Sequence, residues 1–264
     1  MEDRYKQQKS TQFGFSFRRR SVHNARTMML EELSQLFAYL PPEAQQSDYA
    51  HAIDEENILG KRSSKTRVLT YRHLVDLYAL DNDVLLFHAL RYFWQRDSEG
   101  RPLLALLCTF ARDSVFRSTA PFLLPIPEGE TVSRQALEDF IDALEPARFS
   151  AGTLKSTAQN INSTWTQSGH LSGRARKIRR RAQPTAGSVA YALFLGYLTG
   201  NRGQGLFQTE YMKLLDCSAE QALDLAESAA YKGWIVLKKV GNIIEIGFPN
   251  LISPEKMEWL REQN

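Results

Sequence analysis

Leu154-Lys155-Ser156-Thr157-Ala158-Gln159-Asn160-Ile161-Asn162-Ser163-Thr164-Trp165-Thr166-Gln167-Ser168 is a helix-length run of short, hydrogen-bonding side chains. Gly169-His170-Leu171-Ser172-Gly173 follows, and then Arg174-Ala175-Arg176-Lys177-Ile178-Arg179-Arg180-Arg181. A polar helix, a tight turn and a basic ribbon, in that order, are the layout of a winged helix-turn-helix. Such a helix offers hydrogen-bonding groups to base edges, and such a ribbon offers cations to phosphates. Lys155, Asn160, Asn162 and Thr164 are the candidate readers on the helix. Arg174, Arg176, Lys177, Arg179, Arg180 and Arg181 are the candidate phosphate contacts. On a strand, alternate side chains share a face. That rule predicts Ile178 turned inward with Arg174 and Arg176 beside it, and Lys177, Arg179 and Arg181 on the opposite face.

The surroundings strengthen this reading. From residue 146 to residue 209 there is no Asp or Glu, and the formal charge is +9 against +3 for the whole chain. The other 200 residues therefore carry −6. A run of basic residues is usually a solvated surface. Complete absence of acid over 64 positions, in a chain with 24% charged residues, points instead to a polyanionic partner.

Upstream, the residues before Gln12 are polar. Phe13 to Arg20 reads as an arm that pins its aromatics and leaves Arg18, Arg19 and Arg20 free. Ser21 to Leu40 has the apolar spacing of a helix and stops at Pro41-Pro42. Asn57-Ile58-Leu59-Gly60-Lys61-Arg62-Ser63 predicts a turn followed by a helix capped at Ser63 or Ser64. Lys61, Arg62, Lys65 and Arg67 crowd that helix start with no acid between Asn57 and Leu74, which makes them a second, weaker phosphate patch. Helices are expected over 64–80, 82–96, 101–117 and, opened by Thr131-Val132-Ser133-Arg134, up to Leu144.

Downstream, Pro184 begins a second module. It contains an apolar helix around Val189 to Leu198, a short helix from Leu206 to Leu215, and a helix capped at Ser218 that runs to Tyr231. A hairpin from Trp234 to Phe248 follows, with its turn at Gly241-Asn242. The layout repeats, but the second helix carries Glu220, Asp224 and Glu227, which repel phosphates and suit a protein contact or packing role.

Little in the sequence nominates a reaction. Gly60-Lys61 is no phosphate loop, because Glu55 stands where its first glycine belongs and Arg62 where its Ser or Thr belongs. The Gly200–Gly205 loop follows a helix where a phosphate loop follows a strand. Cys108 and Cys217 are distant and read as small hydrophobes of a reducing cytoplasm, without metal-ligand spacing. None of the five histidines lies at a spacing that nominates a triad or a metal site. The opening residues are not those of a signal peptide, and no apolar run is long enough to span a membrane.

Three features together, the 57–63 segment, the Thr153–Gly169 helix with its arginine ribbon, and the closing apolar module, resemble the BrxA family. Its members are accessory proteins of bacterial BREX phage-defence systems. The resemblance covers about residues 25 to 250. It implies a non-enzymatic, helical, DNA-binding protein that works beside other defence proteins. It also implies an N-terminal part similar to small RNA-binding antitermination folds, so RNA stays an open alternative ligand. The expected fold is mainly α, an N-terminal helical bundle followed by two winged helix-turn-helix-like modules with short β-wings. The expected segments are an arm over 1–20, a helical domain over 21–127, and winged modules over 128–183 and 184–264. The expected partners are double-stranded DNA and other BREX proteins, in the cytoplasm, with no cofactor and no membrane. A protein–protein adaptor and an RNA-binding or transcriptional regulator are the competing functions.

Overall fold

In a computed structural model the described residues are 10–241 and 243–252. Helices dominate. They are α1 (Leu30–Tyr39), α2 (Gln46–Asp54), α3 (Ser64–Tyr78), α4 (Leu85–Arg96), α5 (Arg101–Arg112), α6 (Ser114–Ser118) and α7 (Ala120–Leu123), then α8 (Arg134–Leu144), α9 (Ala151–Gln167), α10 (Ala186–Leu198), α11 (Glu210–Lys213) and α12 (Ala219–Tyr231). Strands β1 (Thr131–Val132), β2 (Leu171–Ser172) and β3 (Lys177–Arg179) form one antiparallel sheet in the order β1-β3-β2. Strands β4 (Val236–Val240) and β5 (Ile243–Gly247) form a hairpin. Asn242, expected in its turn, lies outside the described residues.

The chain divides into two compact units. One joins Met1–Phe15, Asp83–Leu107 and Gln183–Asn264, and the other joins Ser16–Asn82 with Cys108–Ala182. The units interleave in sequence, whereas the sequence reading expects consecutive segments.

In the first unit, every residue of α10 is buried. A helix apolar all round can only be a central one. Thr185 and Ser188 close its N-terminus with a capping box, and the Asp97 carboxylate accepts from the Gly187 N–H at 2.7 Å. Tyr191 donates its hydroxyl to the Leu86 carbonyl at 3.0 Å, and Phe194 and Tyr197 pack edge-on against Phe248.

In the second unit, α9 is the element around which the rest is arranged. Ala158, Ile161 and Trp165 form its buried stripe, and full burial of the Ile side chain alone is worth about 1.5–3 kcal/mol. Trp165 lies between Phe116 and His170, with ring centroids 4.8 Å from each. Ser150 caps the helix by accepting from the Thr153 N–H, as Ser133 does for α8 and Ser63 for α3.

Several expected helices are shorter or broken. The one expected over 21–40 is a 3-10 turn at Val22–Asn24, an irregular stretch, and then α1, because Met29 adopts a left-handed backbone (φ 53°). The one expected over 101–117 breaks at Asp113, whose carboxylate caps α6 through the Phe116 N–H at 3.0 Å. Thr131 and Val132 form β1 and do not open a helix. α2, polar along most of its length, went unpredicted.

Candidate nucleic-acid interface

The sheet of the second unit places the arginines. Arg174, Ala175 and Arg176 sit in the turn joining β2 to β3, so strand alternation does not govern them. Gly173 (φ 90°) makes that turn possible, since a Cβ there would collide with the Arg176 carbonyl oxygen. Arg174, Arg176, Arg180 and Arg181 are exposed. Arg176 donates to the Thr131 hydroxyl at 2.8 and 3.0 Å, and Arg180 donates to Ser172 Oγ at 3.0 Å. Arg181 lies 3.7 Å from the exposed Glu128 carboxylate. These contacts aim the side chains without covering them.

Two ribbon positions depart from the expectation. Arg179, not Ile178, is the inward residue, at 3% exposure, with its guanidinium donating to the carbonyls of His170 and Arg180. Carbonyl oxygens are natural acceptors for a guanidinium turned inward in this way. Lys177 is half-buried, and its Nζ donates to Thr166 Oγ1 at 2.9 Å and to the Gly173 carbonyl at 2.8 Å. Burial holds its pKa below the usual lysine value. Both residues build the ribbon and do not present charge from it.

The helix needs a parallel correction. Thr164 is fully buried, Asn162 is 4% exposed, and Asn160 donates to the His23 carbonyl at 2.9 Å. None of the three offers a free edge. Lys155 is exposed as expected. Beside it, Gln159 is exposed and Ser163 half-buried, a four-residue spacing that forms one stripe. The signal for this stripe was in the sequence, since at roughly 100° per residue Gln159 and Ser163 stand opposite the stripe Ala158, Ile161 and Trp165.

Thr164 has a different task. Its hydroxyl accepts from the Met28 N–H at 2.9 Å and meets His23 Nε2 at 3.0 Å, and His23 Nδ1 meets the Asp113 carboxylate at 3.0 Å. Hydroxyl, imidazole and carboxylate in series form the chain that activates nucleophiles. Here Thr164 and His23 are fully buried, Asp113 is 3% exposed, and Phe116 stacks on the imidazole at 4.8 Å. Burial alone would raise the Asp113 carboxyl. The His23 charge and hydrogen bond, the Phe116 N–H and the Ser21 hydroxyl outweigh it and hold the group below the usual carboxylate range. Enclosed in this way, the chain is a latch between α9, α6 and the segment around His23.

The second expected patch is partly neutralised. Lys61 pairs with Glu32 at 3.0 Å, and Arg67 lies 3.4 Å from Asp54. Acids absent from the local sequence arrive from α1 and α2. Arg62 and Lys65 remain exposed. Asn57, in a left-handed conformation (φ 53°), accepts from the Lys61 N–H at 2.8 Å and donates to its carbonyl at 3.1 Å. The 57–63 segment is therefore a braced turn.

In the first unit, Glu220, Asp224 and Glu227 are all exposed on α12, and Tyr231 ends the same face at 95% exposure. Val240 and Ile243 face each other across the exposed end of the β4–β5 hairpin. Among the described residues, no cluster of His, Cys, Asp or Glu could hold a metal ion, and no helix is long and apolar enough to cross a membrane. Compared with known proteins, the chain matches no family model and no curated protein.

Proposed function

We propose that the protein is a non-enzymatic DNA-binding accessory protein of a bacterial phage-defence system of the BREX type, which grips duplex DNA mainly through phosphates. The observation that carries the DNA reading is the surface of the second unit. The acid-free outer stripe of α9 (Lys155, Gln159, Ser163) lies beside a sheet with four exposed arginines, Arg174, Arg176, Arg180 and Arg181. On this reading β1, α8, α9, β2 and β3 are a winged helix-turn-helix, with α9 directed at the major groove and the β2–β3 turn as the wing. The elements α11, α12, β4 and β5 are a second module of the same layout. The defence role rests on the family resemblance of the sequence.

Phosphate contacts position a protein on the duplex but do not read sequence, so binding is expected to be salt-sensitive, with specificity left to Lys155, Gln159 and Ser163. A mobility-shift experiment with duplex DNA, single-stranded DNA and duplex RNA at two salt concentrations tests this. Retention of duplex DNA that weakens at the higher salt is expected. Preference for RNA, or retention of none of the three, contradicts it. A second reading, a protein adaptor, is favoured by the exposed Glu220, Asp224 and Glu227 face of α12, whose carboxylates form no ion pair among the described residues.

A further inference from the structure

We infer that the segment Arg18–Arg26 is a second phosphate-contacting track, which flanks α9 on the side opposite the arginine ribbon. The inference rests on the duplex-DNA reading above and extends it to residues outside the winged layout.

The segment is tied along α9 by backbone carbonyls and side chains. Ser156 Oγ donates to the Asn24 carbonyl at 3.2 Å, Thr157 Oγ1 donates to Asn24 Oδ1 at 3.1 Å, and Asn160 donates to the His23 carbonyl at 2.9 Å. Near the other end of the helix, Gln167 Nε2 donates to Thr27 Oγ1 at 3.4 Å. Before the helix begins, the Arg148 guanidinium donates to the Arg19 carbonyl. The Asp113 carboxylate anchors the segment from beneath, accepting from Ser21 Oγ and the Val22 N–H, each at 2.9 Å. The segment is therefore a fixed strap and not a loose arm.

Its position relative to the ribbon follows from helix geometry. At roughly 100° per residue, Ser156, Asn160, Thr164 and Gln167 share one flank of α9. Thr166, which receives the Lys177 ammonium, lies on the other flank. The stripe Gln159–Ser163 comes up between them. An α-helix with its side chains is about 10–12 Å across, and the major groove is about 12 Å wide. A helix seated in that groove brings whatever lies on its two flanks against the two phosphate backbones.

The strap carries the charge such a position needs. From residue 4 to residue 30 the sequence contains seven Lys and Arg and no Asp or Glu. Arg18, Arg19, Arg20 and Arg26 are all exposed, which matches the four exposed arginines of the ribbon. Two carboxylates compete for them. Glu145 pairs with Arg19, and Asp76 lies 3.8 Å from Arg20. These arginine side chains are 80% and 69% exposed, and ion pairs in water are weak and screened. Phosphates can therefore displace them. Arg18 forms no ion pair among the described residues, and the Arg26 guanidinium donates to the neighbouring Ala25 carbonyl.

The test uses the full chain on one defined DNA duplex. A strap variant (Arg18→Gln, Arg19→Gln, Arg20→Gln, Arg26→Gln) and a ribbon variant (Arg174→Gln, Arg176→Gln, Arg180→Gln, Arg181→Gln) are compared with the wild type. Salt titration and hydroxyl-radical footprinting are the readouts. At about 0.9 in log–log slope per phosphate, the strap variant is expected to flatten the salt dependence by about 2–4. It should also lose one of two protected backbone tracks, with the ribbon variant losing the other. Should the fourfold strap variant fail to fold, Arg18→Gln with Arg26→Gln disturbs no ion pair and should flatten the slope by about 1–2. A folded strap variant with wild-type slope and both tracks, beside a weakened ribbon variant, overturns the strap and leaves the DNA reading standing. No change in either variant, or no duplex binding by the wild type, overturns both.

Discussion

α9 and α12 share a local order of elements and carry opposite surface chemistry. Each follows a serine N-cap, Ser150 or Ser218, and each leads into an antiparallel β-hairpin. The outer face of α9 shows Lys155, Gln159 and Ser163, and its hairpin turns on exposed arginines. The outer face of α12 shows Glu220, Asp224 and Glu227, and its hairpin ends in exposed Val240 and Ile243. Backbone layout alone therefore does not decide what such a module binds. The charge left outside differs, basic beside α9 and acidic on α12, and the proposed DNA reading rests on that difference.

The comparison can be broken or sharpened by substitution. The largest effect is expected beneath α9. Asp113→Ala leaves His23 and the Ser21 hydroxyl without their acceptor and should destabilise the second unit by about 3–5 kcal/mol, measured by urea unfolding. The pH dependence has a definite sign. The folded carboxyl sits below its usual value, so its contribution is complete above the unfolded value of about 3.9 and fades as pH falls through the folded one. Wild-type stability should therefore drop more steeply below about pH 4 than that of Asp113→Asn.

A smaller effect is expected on the outer stripe. Gln159→Ala should leave the salt slope unchanged and reduce discrimination between duplex sequences by about 1–3 kcal/mol, read from competition binding. A changed slope with unchanged preference would reverse the roles of stripe and ribbon. The smallest effect is expected on α12. Glu220→Gln, Asp224→Gln and Glu227→Gln together should change stability by no more than about 0.5 kcal/mol per site and leave the DNA-binding slope within error. Loss of DNA binding in that variant would end the division between the two helices.

Much of this contrast was legible in the residues. The order of polar helix and basic ribbon, the absent acids and the Ser63 and Ser218 caps are local signals, and local signals survive folding. What was not legible depends on contacts that residue type and spacing do not show. Arg179 looks like its neighbours in sequence and is buried because the carbonyls of His170 and Arg180 receive it. Thr164 looks like a base reader and is buried because His23, 141 positions away, meets it. Lys61 and Arg67 look free until Glu32 and Asp54 are brought beside them. Asn162 is the exception, because its burial is local information. The stripe Ala158, Ile161 and Trp165 already fixed which face was outward, and periodicity outranks side-chain type in deciding it.

The central claim is that charge on the β2–β3 turn and its flank, not on α12, holds duplex DNA. The most direct measurement is a salt titration of duplex binding by the folded variant Arg174→Gln, Arg176→Gln, Arg180→Gln, Arg181→Gln, beside the α12 variant and the wild type. The slope of log affinity against log salt should flatten by about 3–4 in the ribbon variant and stay at the wild-type value in the α12 variant. A wild-type slope in the ribbon variant would contradict the account and leave the arginines as a solvated surface.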